Sequence, residues 1–228
     1  MTTYYLIDGQ RISLREYRRM MPNVFAFLPI AVLKFLLPLG NNALVPLIDR
    51  LHELEWDELP DEASEALAAP VAGWERLGFR RVCVMRLPNP QKNRYLAAVL
   101  LLAPDRLSHA HVTYVRRPDG AFQWTPVYSL FRDGTLGMTT TQKHELDDPP
   151  GVLRSQQPAG LAPDELWQRH RDNLAGPWAE FEIEPLEPAG VRTTALEVER
   201  REVEFHLARG VLVPASDADY DRLADPDD

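Results

Sequence analysis

FRRVCVMRLPNPQKNRYLAAVLLLAPDRLSHAHVTYVRRPDGAFQWTPVYSLFRDGTLGMTTT, residues 79–141, is the stretch on which the fold turns. Its clearest punctuation is Asp133-Gly134, flanked by Leu130-Phe131-Arg132 and Thr135-Leu136. That pair accepts positive φ at both central positions, so a tight two-residue hairpin is expected there. One turn earlier, Arg117-Pro118-Asp119-Gly120 puts proline where φ near −65° is wanted and glycine at the exit. Between the turns, Phe122, Trp124, Tyr128 and Leu130 alternate with Gln123, Thr125 and Ser129, the period of a strand with one buried face. Pro126 interrupts this ladder and calls for a bulge or an edge. Upstream, Ala110, Val112 and Tyr114 alternate with His109, His111 and Thr113, and Tyr95 to Ala103 is an almost unbroken apolar run. Such a run is expected of a central strand covered on both faces. With Val82 to Leu87 before it, the reading is an α+β fold built on an antiparallel meander of four to five strands.

Two helices flank the meander in this reading. Residues 61–77 are helical in composition, with Pro70 opening a second segment, Val71, Trp74 and Leu77 on one face and Gly78 as the terminator. Lys143 to Ala162 reads as a long irregular loop containing Pro149, Pro150, Gly151, Pro158 and Gly160. Pro163 then opens a helix to about residue 175, closed by Gly176, with Leu166, Trp167, His170 and Leu174 on its apolar face. Phe181 and Ile183 suggest a short extended piece, and Thr194 to Arg209 a charged helix ending at Gly210, although Val203, Phe205 and Leu207 alternate as a strand would. The tail from Asp217 is acidic and poor in apolar residues. Three regions result: residues 1–60, an apolar helical N-terminal module; 61–176, the α+β domain; and 177–228, a C-terminal extension.

The N-terminal module opens with a short strand, Tyr4 to Asp8, and a capping box, Ser13-Leu14-Arg15-Glu16. Val24 to Leu39 reads VFAFLPIAVLKFLLPL, whose only charge is Lys34. A straight span needs about 20 apolar residues, so a re-entrant hairpin or interfacial helix fits better. Val24, Phe25, Phe27, Leu28, Ile30, Leu33, Phe35, Leu36 and Leu37 are the expected lipid contacts. Arg11, Arg15, Arg18 and Arg19 before them would hold the N-terminus on the cytoplasmic side of an inner membrane. The alternative is a cytoplasmic soluble protein that uses this segment as core or as an oligomer interface.

A net charge of −9 leaves no broad basic surface, so nucleic acid is excluded as the main partner. A single cysteine, Cys83, excludes an intramolecular disulfide and any multi-cysteine metal site. His109 and His111, two apart on a strand, share a face and could offer two imidazoles to a metal, with His144, His170 or Asp133 completing the shell. Solvated or structural histidines give the same pattern. His170 could serve as a general base or as a buried structural ring. Turn chemistry accounts for Asp133. Thr139-Thr140-Thr141 could bind an anion or simply favour a strand. Ser108 and Ser129 lack a glycine-flanked elbow, and Cys83 reads as buried. No Walker loop, dinucleotide fingerprint or HExxH is present, so no cofactor is expected.

The order of Leu77-Gly78-Phe79, then Phe131-Arg132-Asp133-Gly134-Thr135 leading into Thr139-Thr140, then Leu166 to His170 and Leu174, resembles uncharacterised bacterial proteins. Those proteins pair an N-terminal hydrophobic segment with a small α+β domain. The resemblance covers roughly residues 75–176 and implies that architecture, with no activity attached. The chain departs from it where prolines break the apolar segment and a folded-looking Tyr4 to Met20 precedes it. The expected function is non-catalytic: a membrane-associated interaction or scaffolding protein, binding a partner protein or its own copy through the tryptophan-bearing segments and the 143–162 loop. Two alternatives stand beside it. One is a metal-assisted or general-base hydrolase using His109, His111 and His170. The other is a small-molecule or lipid carrier with a cavity enclosed by Phe25, Phe27 and Phe35.

Overall fold

A computed structural model of the chain describes residues 3–21, 40–87, 94–117, 120–143 and 145–223. Among these residues eleven strands run in chain order as β1 (Tyr4–Asp8), β2 (Gly40–Pro46), β3 (His52–Leu54), β4 (Arg80–Arg86), β5 (Tyr95–Leu102), β6 (His109–Arg117), β7 (Gly120–Trp124), β8 (Pro126–Leu130), β9 (Leu136–Thr140), β10 (Val152–Gln156) and β11 (Leu212–Pro214). The α-helices are α1 (Leu14–Met20), α2 (Asp61–Arg76), α3 (Pro163–Ala175), α4 (Pro188–Ala208) and α5 (Asp217–Leu223).

The expected four to five antiparallel strands are too few, and the sheet is mixed. Eight strands form it, in the order β10-β9-β8-β6-β5-β4-β3 with β7 attached to β6. β10 runs parallel to β9, from Val152↔Leu136 to Gln156↔Thr140, inside the stretch read as an irregular loop. Its residues are mostly half-buried on both sides, so they carry no two-residue alternation to read. β3 escaped notice because three residues beside an acidic stretch have no period at all. A second sheet, β11-β1-β2, joins the N-terminal residues to the C-terminal extension.

Among the described residues the N-terminal region is not an apolar helical module: the described parts of residues 1–60 supply strands, α1 and short 3₁₀ turns. Among the described residues no helix is long and apolar enough to cross a membrane. The expected lipid contacts, Val24, Phe25, Phe27, Leu28, Ile30, Leu33, Phe35, Leu36 and Leu37, lie outside the described residues, as does the carrier cavity built on them.

β5 is the central strand, and both its faces are covered. Ala97, Val99 and Leu101 pack with Ala110, Val112 and Val127 under Leu67, Val71 and Trp74 of α2 and Leu166 and Trp167 of α3. Ala98, Leu100 and Leu102 pack with Met85, Cys83, Leu186 and, from α4, Val191 and Ala195. Each fully buried large side chain contributes about 1.5–3 kcal/mol, so this two-sided core dominates the stability.

Three local readings change. α2 runs unbroken from Asp61 to Arg76 with Pro70 inside it. Proline has no N–H for the Ala66 carbonyl one turn back; the Gln123 side-chain amide donates to that carbonyl instead, at 2.5 Å. The turn at Asp133 is not a two-residue hairpin. The Gly134 N–H donates to the Phe131 carbonyl and the Phe131 N–H to the Thr135 carbonyl, and of the turn residues only Gly134 has positive φ. This is the three-residue type, a turn followed by a left-handed glycine. Phe122, expected on the buried face, is 43% exposed: it pairs with Val115 on the face of the sheet opposite α2 and α3, with the Arg117 guanidinium over its ring.

Candidate functional site

The three histidines singled out by sequence do not converge. His109 and His111 lie opposite Leu102 and Leu100 on β5, and both leucines face α4, so the two rings lie on the α4 side of the sheet. His170 stands on α3 and meets the opposite side, where its Nε2 is 3.0 Å from Ser129 Oγ and its Nδ1 is 2.9 Å from Thr139 Oγ1. A single metal cannot span the sheet, since zinc–nitrogen distances are only about 2 Å. Among the described residues no group of three or more His, Cys, Asp or Glu side chains is placed to hold a metal ion. His144 is outside the described residues. Asp133 is a turn residue, its Oδ1 accepting the Thr135 N–H at 2.8 Å.

On the α3 side, sequence reasoning missed a connected polar network. Ser129 Oγ is 2.7 Å from Ser108 Oγ, donates to the Leu107 carbonyl at 2.9 Å and contacts His170. Thr139 Oγ1 bonds His170 and receives the Asn173 amide at 2.9 Å. Ser108, Ser129, Thr139 and His170 are all fully buried. Burial pushes His170 down to about 3, so the ring is neutral and both nitrogens are engaged. The trace of this network in the sequence is Ser129 and Thr139 within strands whose neighbours are apolar. A two-residue period had placed Ser129 on a solvent face that α3 in fact covers.

On the α4 side the polar groups are left unsatisfied. The rings of His109, His111 and Tyr128 form a triangle with centroids 4.8 to 5.3 Å apart. Both ring nitrogens of His109, Nε2 of His111, Nη1 of Arg154 and both ring nitrogens of His206 are buried without a hydrogen-bond partner among the described residues. Burial lowers His109 to about 3 and holds His111 and His206 below the ordinary histidine range. Arg154 spends its remaining donors on Asp148, at 2.7 to 2.9 Å. α4 packs by apolar contacts at Val191 and Ala195 and again at Val203; between them it carries half-buried Glu199 over this polar floor. Burial, and then the neighbouring Glu202, raise the Glu199 carboxyl. Burial first, and the two glutamates next, push the Tyr128 phenol up. Each unpartnered buried group costs about 1–3 kcal/mol, which makes this the strained half of the molecule.

Open concavities lie elsewhere, and one of about 430 Å³ runs along α3 over Asp164, Glu165, Gln168 and Asp172. A cleft of about 330 Å³ lies between α2, α3 and the sheet where β7 diverges from β8, walled by Pro70, Trp74, Trp124, Thr125, Leu161 and Pro163. Pro126 creates it by ending the ladder: Thr125 leaves the β6 pairing, and its N–H donates to Thr141 Oγ1 at 3.1 Å. The wall holds no acid–base pair. No protein-family model, curated protein or solved structure matches the chain.

Proposed function

We propose that the protein is a non-catalytic binding protein that engages a partner through the cleft between α2, α3 and β7. One contrast carries this reading: where serine meets histidine the site is sealed and satisfied, and the cleft beside β7 is open and lined by tryptophan and proline. A general base must present a free ring nitrogen to the group it deprotonates. His170 commits both of its nitrogens to Ser129 and Thr139 and is fully buried. Tryptophan walls supply large apolar contact area and are enriched where binding energy concentrates. A volume of about 330 Å³ is at the small end of ligand pockets, suited to one or two side chains.

The test is an amide and indole N–H NMR titration of the full chain with two probes, indole and N-acetyl-leucine amide. Saturable shifts at Trp74 and Trp124 are expected. They should vanish in Ala69→Trp, which fills the mouth from an exposed position on α2 and leaves the unfolding midpoint unchanged. Absence of saturable shifts overturns the reading. So does hydrolysis of p-nitrophenyl acetate that disappears in a folded His170→Gln variant.

A further inference from the structure

The free edge of β7 runs beside the cleft. Among the described residues β7 pairs with β6 alone, from Thr113↔Trp124 to Arg117↔Gly120, and no described strand pairs with its other edge. Natural sheets defend such edges with charges, proline, bulges or a covering element. Gly120-Ala121-Phe122-Gln123-Trp124 contains no charge and no proline, and residues 120–123 are exposed. The edge strand β10, by contrast, is mostly half-buried and carries an arginine, and β3 is only three residues long. Phe122 is one of three large apolar side chains exposed among the described residues.

We propose that β7 accepts an extended segment of a partner protein as an added strand, with alternate side chains of that segment entering the cleft. The proposal rests on the cleft reading above and adds the backbone edge and the partner's pattern. Side chains of an added strand would alternate between two environments. On the side of Gln123 they meet the cleft, so apolar residues fit. On the side of Phe122 they meet the Arg117 guanidinium, which sits 5.5 Å over that ring, so a carboxylate fits. The partner is therefore a strand of alternating apolar and acidic residues. A second copy fits poorly: antiparallel pairing of two β7 strands about Phe122 places Ala121 opposite Gln123, and a methyl group is too small to fill the cleft on that side.

The experiment is selection of displayed random peptides of about twelve residues, enough for an ordinary strand, against the full chain. Enriched peptides are expected to alternate apolar and acidic residues. A selected peptide should lose about tenfold or more in affinity when the amides of its edge-facing register are N-methylated, and keep its affinity when the other register is methylated. Phe122→Lys and Arg117→Glu, both at exposed positions, should weaken it while the unfolding midpoint holds. Failure to enrich any peptide family overturns the proposal, as does binding indifferent to N-methylation and to both variants. A dimer in light scattering that Phe122→Lys converts to a monomer overturns it in favour of self-association. Small apolar probes that bind while no peptide does leave the cleft reading standing and overturn only the strand addition.

Discussion

Two histidines on opposite faces of one sheet should respond to the same substitution with opposite signs. His109 is fully buried with both ring nitrogens unpartnered, whereas His170 is fully buried with both engaged. Replacing His109 with leucine, of similar size, removes two unsatisfied groups and sacrifices the ring contact with Tyr128. A net gain of about 1 kcal/mol at neutral pH is expected. Replacing His170 with leucine deletes two hydrogen bonds, but Ser129 keeps Ser108 and Leu107, and Thr139 keeps Asn173. The cost is about 2 kcal/mol. Acidification separates the pair further. Burial pushes both rings down to about 3 in the folded protein against an ordinary 6.5, so the unfolded chain binds more protons between those values and stability is lost as pH falls. Between pH 7 and pH 5 each ring costs roughly 2 kcal/mol. The advantage of His109→Leu should therefore grow to about 3 kcal/mol near pH 5, while the deficit of His170→Leu should shrink towards nothing. Glu199, raised by burial and by Glu202, has the opposite pH slope, but it is common to all three proteins and drops out of the differences. Urea unfolding at a series of pH values measures them. A His109→Leu variant as destabilised as His170→Leu, with a pH-independent deficit, would refute the assignment of unsatisfied nitrogens.

Other substitutions probe the joints of the fold. Gly137→Ala should cost about 1–3 kcal/mol in thermal or urea unfolding, since its Cβ would lie 2.9 Å from Trp178 Cε3 and 3.1 Å from Phe131 Cε2. Glu16 is fully buried; burial opposes its charge, but the Arg209 fork and the N–H groups of Asp147 and Ser13 prevail and hold the carboxyl well below the usual range. Glu16→Gln should cost about 2 kcal/mol at neutral pH, because the partly exposed Arg209 loses its close counter-charge and keeps only Asp147 at 3.9 Å. Because the folded pKa is depressed, that deficit should narrow as pH falls below the ordinary carboxylate range, which the same urea series reads. Burial first, and then Glu53, push the Cys83 thiol up to about 11. The folded protein should therefore resist a disulfide reagent near pH 8, where only about one thiol in a thousand is ionised, and react once urea exposes the residue.

Local chemistry made much of the fold legible. The apolar run of β5 announced a strand buried on both faces, and it is. Ser13 and Glu16 announced a capping box, and both its bonds form, at 3.2 and 2.8 Å. Gly78 and Gly210 marked helix ends, and both have positive φ. These features depend on residues within a few positions of one another, where backbone sterics and side-chain reach act directly. Tertiary structure alone decided the rest. β10 joins β9 in parallel, β1 pairs with β11 across the length of the chain, and Ser129 finds a histidine 41 residues away. A two-residue period states which side chains share a face, and is silent on what covers that face. His109 and His170 are the same residue type in similarly apolar surroundings; only the packing of α4 over one side and α3 over the other leaves the first without partners and gives the second two.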